Sequence, residues 1–403
     1  MDVAPSRTPS PSLARPARPV REILDDAVAG RRIDAGDAHT LLLEGDLLDL
    51  GLAADEVRNR HNDPRVATYN VDRNINYTNV CVYRCRFCAF YRKPGDPEGY
   101  LLSKEEIGRK IEETLALHGT GILMQGGVHP ELPLAYYEDL VSWIRATYPA
   151  IHVHAFSPPE IKFIARKERM SFHEVIGRLK AAGLQSIPGG GAELLSDAVR
   201  KEVLAYPKAS ADEWIDVNRQ AHRHGLRTSA TMMYGMGEGV EARVEHFQRI
   251  RDLQDETGGF TAFISWTFQH EHTDMADVPE TFAHEYLKTV AVSRLFIDNV
   301  QHFQTSWVTQ GKKIGQLALR FGADDMGSIM IEENVVSAAG TRYKMSQEEM
   351  ERLIASAGYT PRQRTNLYER MVEPGETAEL ARRYRHALTA ENRSLASPLP
   401  VLG

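Results

Sequence analysis

The chain has 403 residues, long enough for one large barrel or sheet domain with appendages, and its 42% apolar and 26% charged content is that of a globular rather than a disordered protein. A net charge of -7 offers no overall basic surface, which argues against nucleic acid or anionic lipid as partner, and no apolar run reaches the roughly 18 residues of a membrane helix. Residues 1–20 carry five prolines among Arg, Ser and Ala, a composition that discourages an amphipathic targeting helix and reads as a disordered tail. With no signal-peptide core in view, the chain is expected in the cytoplasm, where thiols stay reduced.

Residues 21–70 read as a helical segment: "REILDDAVAG" ends on glycine, and "DAGDAHTLLLEGDLLDLG" sets leucines against acids. Residues 71–310 read as an α/β barrel core. There "INYTNV" leads to "SKEEIGRKIEETLALHG", in which Ser103 is an N-cap and Ile107, Ile111 and Leu115 recur on one face. "GILMQGG", "IHVHAFS", "LQSIPGGG", "LRTSATMMYG" and "FTAFISW" then each precede a helical stretch. Six strand–helix units in line argue for a parallel sheet with helices outside it. "HFQTSWV" and "GSIMI", each followed by a weaker helix, would complete a (β/α)8 TIM-type barrel; the alternative is an open, partial barrel. Residues 311–403 would then supply barrel completion and a helical cap. In either form the reactive residues belong on loops at the carboxyl ends of the strands.

The chain's only cysteines, Cys81, Cys85 and Cys88, form C-x3-C-x2-C within "NVCVYRCRFCAFYR", directly after the first expected strand. A four-iron cluster held by four protein ligands needs a fourth thiolate, and there is none. Three thiolates would leave one iron open to an exogenous chelator. A structural zinc with His61 or His118 as fourth ligand is the competing arrangement. The spacing, with Phe87 in the aromatic place, resembles the signature of the radical S-adenosylmethionine (SAM) enzymes. That resemblance implies a [4Fe-4S] cluster on Cys81, Cys85 and Cys88 that chelates SAM through its open iron and cleaves it to a 5'-deoxyadenosyl radical.

The glycine loops fit that expectation. "LMQGGVHPE" puts Gly126 and Gly127 after the second strand, and "SIPGGGAE" puts Gly189, Gly190 and Glu193 after the fourth. Glycines there allow close approach of a ligand, and Glu193 could accept hydrogen bonds from a ribose or an amino group. Ser157 and Glu160 lie on the loop after the third strand. By resemblance these residues and Phe87 bind SAM. His152 and His154 share one face of their strand and read as hydrogen-bonded packing, as do Met232, Met233 and Met236.

The motifs "QGGVHPELP", "HAFSPPEI", "GGGAELLSD", "DETGGFTAFISWTFQ", "SWVTQG" and "DDMGSIMIEENVVSAAG" extend the likeness from about Asn76 to Arg370. Together they are similar to the cyclic dehypoxanthine futalosine synthase family of menaquinone biosynthesis, whose relatives are aminofutalosine synthase and the second subunit of the deazaflavin F0 synthase. The resemblance implies an oxidoreductase that takes hydrogen from ribose C4' of dehypoxanthine futalosine and joins that carbon to the substrate's aryl ring. It also implies an external one-electron reductant such as flavodoxin or ferredoxin. Candidates for shaping the pocket are His129, Ser157, Glu160, Glu193, Arg227, Trp266 and Gln269, with His129 and Glu193 as acid–base groups and Arg227 as a carboxylate partner. After Gln269 the chain reads "HEHTDM", a departure from the family pattern that leaves that loop's geometry open.

Overall fold

A computed structural model describes residues 18–203, 208–341 and 343–395. Most of the expected tail, residues 1–17, and the last eight residues of the expected cap lie outside the described residues.

Ten parallel strands form one sheet: β1 (Val66–Asn70), β2 (Asp72–Ile75), β3 (Gly121–Met124), β4 (His152–Ala155), β5 (Ser186–Ile187), β6 (Arg227–Tyr234), β7 (Phe260–Thr267), β8 (His302–Gln304), β9 (Asp325–Ser328) and β10 (Thr360–Gln363). Their order is β10-β1-β9-β8-β7-β6-β5-β4-β3-β2. Only Val71 separates β1 from β2, yet β1 pairs with β9 and β10 while β2 pairs with β3. The sheet therefore curls round until its ends meet on one bent segment, residues 66–75. This is an α/β barrel of the partial TIM type, as the alternation of strands and helices implied.

The helices between the strands form where their caps and apolar faces dictate. Ser103, Ser171 and Ser210 each accept the backbone N–H three residues on and are answered by a Glu at that position. Ile107, Ile111 and Leu115 are buried against the sheet, each worth about 1.5–3 kcal/mol of transfer free energy. The amino-terminal helices, Val20–Val28, Ala35–Glu44 and Leu47–His61, pack on helices Val240–Thr257 and Ala283–Phe296 outside the barrel. Gly51 also lies so close to Phe321, in the turn after helix Lys312–Ala318, that a Cβ there would stand 2.8 Å from its ring. Among the described residues no helix is long and apolar enough to cross a membrane.

Two strands differ from expectation. The first expected strand begins earlier, as β1 and β2 over 66–75, so "INYTNV" is mostly the loop that follows β2, and the expected boundary between residues 70 and 71 falls between these two strands. Its sequence, "VATYNVDRNI", looks too polar for a core strand because its polar groups are paired internally: Arg73 meets Glu113 at 2.7 Å and Glu332 at 2.8 Å. The last strand, β10, carries Pro361 and is tolerated because it adds to the outer side of β1 as an edge.

Candidate active site

The cysteine loop leaves the carboxyl end of β2 and folds back on itself. Arg92 N–H donates to Asn79 O at 2.8 Å and Cys81 N–H to Arg92 O at 2.9 Å, while Val82 N–H reaches Val128 O at 3.0 Å on the first glycine loop. Cys81 and Cys85 are buried, Cys88 is half-buried, and none is in a disulfide. All three, with Phe87, face a cavity of ≈ 460 Å³ that runs from this loop into the barrel. Burial pushes the Cys81 thiol up and the Cys85 thiol up to about 12, so both stay protonated until a metal takes the proton's place.

Beside these thiols lies a buried ion pair. Lys208 Nζ is 2.9 Å from Glu193 Oε1 and 5.0 Å from the centre of the Phe87 ring. Burial works against the Lys208 charge, but the nearby Cys85 and Glu193 outweigh it and its pKa is raised. Glu193 sits at φ 40, a left-handed conformation that costs about 1–3 kcal/mol for a residue with a side chain. Its Oε2 is buried without a hydrogen bond, though Arg200 Nη1 forms a looser ion pair with it at 3.7 Å. A strained, half-satisfied carboxylate facing a cavity is poised to accept from a ligand's hydroxyl or ammonium groups.

The glycines contribute differently from what was expected. A Cβ at Gly127 would stand 2.4 Å from Val80 O, and one at Gly190 would stand 2.2 Å from Gln125 Nε2. Their missing side chains let neighbouring loops nest, so glycine here sets the cavity's shape; Gly126, Gly127, Gly189 and Gly190 all remain on its lining. Ser157 lines the cavity too, but Glu160 lies behind the wall. Its Oε1 accepts from Tyr77 Oη at 2.7 Å and Gly126 N–H at 3.2 Å, and its Oε2 from Ser157 N–H at 2.6 Å. Glu160 thus ties the cysteine strand, the first glycine loop and the helix Pro158–Glu168 into one unit, with its pKa raised by burial.

Besides Glu160, two expected site residues are not brought to the cavity. Arg227 begins β6 at the amino end of the barrel, where it is exposed and donates to Gly258 O. Its position before a strand, not after one, puts it on the wrong side. His129 stands outside the lining and accepts from Glu131 N–H at 3.2 Å. Trp266 and Gln269 do line the cavity. His152 and His154 both bond Ser186 Oγ, at 2.7 and 2.6 Å, and burial lowers them to about 4 and about 3, so both are neutral. The divergent "HEHTDM" loop packs onto the cysteine loop, with Asp274 N–H donating to Arg86 O at 2.9 Å.

Toward the barrel floor the lining becomes polar, with Asn70, Asp72, Gln304, Arg364, Asn366 and Tyr368. Arg364 is locked to Asp325 by two hydrogen bonds, one of 3.0 Å, and Thr68 Oγ1 donates to the same carboxylate at 2.5 Å. Neither Lys208 nor this floor group was legible beforehand, because no local motif marks residues that meet only when the barrel closes.

These residues fit a four-iron cluster with SAM better than a single ion. The described residues contain no group of three or more His, Cys, Asp or Glu placed to hold one metal ion. His118 bonds Thr377 at 2.8 Å and His61 ends an outer helix, so neither completes a Cys3His zinc site. A cluster spreads three thiolates over its own width, and the orphaned Glu193 oxygen beside it supplies an acceptor for SAM.

Comparison with known proteins agrees. Residues 75–250 match the model of the radical SAM superfamily, and residues 257–377 match the CofH/MqnC C-terminal region. The chain is 47% identical to the cyclic dehypoxanthine futalosine synthase of Halalkalibacterium halodurans, over 89% of this chain and 97% of that one. It is 44% identical to the enzyme of the same name in Streptomyces coelicolor, over 88% and 89%. Against the aminodeoxyfutalosine synthase of Streptomyces coelicolor it is 37% identical over 87% and 93%. In fold it is similar to HydG, a maturase of the [FeFe]-hydrogenase, with a TM-score of 0.69 at 17% identity over 91% of this chain and 80% of that one. The chain therefore belongs to the radical SAM superfamily, in its CofH/MqnC branch, and with it to the enzymes that work through a [4Fe-4S] cluster and SAM.

Proposed function

We propose that this chain is a radical SAM cyclase that converts dehypoxanthine futalosine into its cyclic form in menaquinone biosynthesis. The observation that carries the reading is the near full-length identity of 47% and 44% to two synthases of that name, against 37% for the aminodeoxyfutalosine synthase. With cluster and SAM bound, the site supplies a 5'-deoxyadenosyl radical for hydrogen abstraction. The rest is the work of the protein. Cys81, Cys85 and Cys88 would hold the cluster, and the lips carrying Gly126, Gly127, Gly189 and Gly190, with Ser157, Phe87 and Glu193, would seat SAM against it. Lys208 would fix Glu193 and offset the thiolate charge.

The remaining cavity, bounded by Trp266, Gln269 and the polar floor, would hold the substrate with its ribose near SAM and its aryl ring deeper in the barrel. Enclosure does two things there: it aligns C4' with the ring and keeps water and other abstractable hydrogens away. The electron that starts each cycle would come from a flavodoxin- or ferredoxin-like reductant, and the reading puts the enzyme in the cytoplasm. The test is anaerobic turnover with dehypoxanthine futalosine, SAM and a strong reductant. A product lighter than the substrate by two hydrogen atoms, formed with 5'-deoxyadenosine, supports the cyclase; a substrate-independent 5'-deoxyadenosine signal with no such product contradicts it.

A further inference from the structure

Closing the new ring requires removing a proton from the aryl carbon that is attacked, and the cavity holds one group arranged to take it. We propose that Asp72 is the general base of the cyclisation, a role that rests on the cyclase reading above. In the full balance, the C4'–H bond breaks and that hydrogen leaves with the 5'-deoxyadenosyl group. The C4'–aryl bond forms, and the aryl C–H bond then breaks. Its proton passes to Asp72, and aromaticity returns on loss of the remaining electron to a one-electron acceptor, which the cluster held by Cys81, Cys85 and Cys88 would supply.

Asp72 is selected by elimination among the carboxylates and imidazoles on the cavity wall. Glu193 is ion-paired with Lys208 at 2.9 Å and lies beside the cysteines. Glu333 spends its oxygens on the N–H groups of Val335, Val336 and Ser337 at 3.0, 2.8 and 2.9 Å. His154 is committed to Ser186 and held neutral by burial at a low pKa, which makes it a weak base.

Asp72 differs from all of these. It is 9% exposed, lines the cavity at the start of β2, and makes no ion pair among the described residues. One oxygen, Oδ2, accepts from Asn70 Nδ2 at 2.9 Å. The groups that face it are Asn70 on β1, Ser328 and Asp325 on β9, and Arg364 and Asn366 after β10. Arg364, the one cation there, is already bound to Asp325. Burial, aided by Asp325 and opposed by Ser328, Arg364 and Asn70, raises the Asp72 pKa toward the range where a carboxylate accepts protons effectively. The base would therefore sit in the barrel about where an aryl ring reaching past the ribose would lie, well away from the cysteines.

The test uses reconstituted enzyme with substrate deuterated at C4', comparing wild type with Asp72→Asn. The expected result is that the variant still moves deuterium into 5'-deoxyadenosine within about twofold of wild type, while cyclic product falls roughly 10²–10⁴-fold. A merely structural role would reduce both together. Cyclic product from Asp72→Asn at near wild-type rate overturns the proposal. Should the variant fail to fold, the wild-type ratio of product to 5'-deoxyadenosine decides. It should fall as the pH is lowered and Asp72, its pKa raised by burial, takes up a proton, and a flat ratio overturns the assignment. Deuterium absent from wild-type 5'-deoxyadenosine would instead sink the cyclase reading itself.

Discussion

The two ends of the cavity handle polar groups in opposite ways. At the floor, Arg364 and Asp325 satisfy each other, with Thr68 on the same carboxylate, and His302 meets Asp324 at 2.7 Å. At the mouth, Cys81 and Cys85 are buried with raised pKa values and Cys88 is half-buried, and Glu193, in a strained backbone, keeps one oxygen without a hydrogen bond, with Arg200 Nη1 3.7 Å from it. Buried polar groups cost free energy unless paired. The Arg364–Asp325 and His302–Asp324 pairs meet that cost within the protein and stabilise the fold, whereas the thiols and Glu193 at the mouth, and Asp72 and Asn366 Oδ1 on the floor, leave part of it to be met by ligands. Function therefore lies where the chain is internally incomplete.

The largest effect expected from disturbing this contrast is at the mouth. Cys81→Ser, Cys85→Ser or Cys88→Ser should each abolish 5'-deoxyadenosine formation, with iron content falling well below the four atoms of an intact cluster. The melting temperature of the iron-free protein should hardly move. At the floor the signs reverse: Asp325→Ala strands the Arg364 guanidinium and should cost about 3–5 kcal/mol in denaturant unfolding. Glu160→Gln, which disturbs the joint between strand, glycine loop and helix, should destabilise by about 1–3 kcal/mol and also weaken SAM binding. Glu193→Gln should raise the KM for SAM about tenfold at a stability cost of about 1–3 kcal/mol, smaller than that at Asp325 because the amide oxygen still accepts from Lys208. Arg227→Ala and His129→Ala, remote from the cavity, should leave turnover within about twofold. A stability loss at Glu193 as large as that at Asp325 would erase the distinction between the two ends.

The mouth was far more readable in the sequence than the floor. Cys81, Cys85 and Cys88 are seven residues apart end to end, and the glycine loops follow strands whose apolar runs are plain in the text. A local motif survives translation into one dimension. Asp72, Arg364 and Lys208 belong to β2, the segment after β10 and the stretch before helix Ala211–Arg223, and only barrel closure brings them to one cavity. Strand β2 was hidden because Asp72, Arg73 and Asn74 are buried yet polar, the reverse of the pattern by which strands are recognised. Arg227 misled for a simpler reason: a residue at the start of a parallel strand faces the end of the barrel opposite to the residue at its finish.

The central claim is that three thiolates from this chain hold a four-iron cluster whose remaining iron is left to SAM. Electron paramagnetic resonance of the anaerobically reconstituted, reduced protein, recorded with and without SAM, tests it directly. The account predicts about four irons per chain and a cluster signal that shifts when SAM is added. A signal that does not respond to SAM, or a cluster that survives replacement of Cys85, would contradict it.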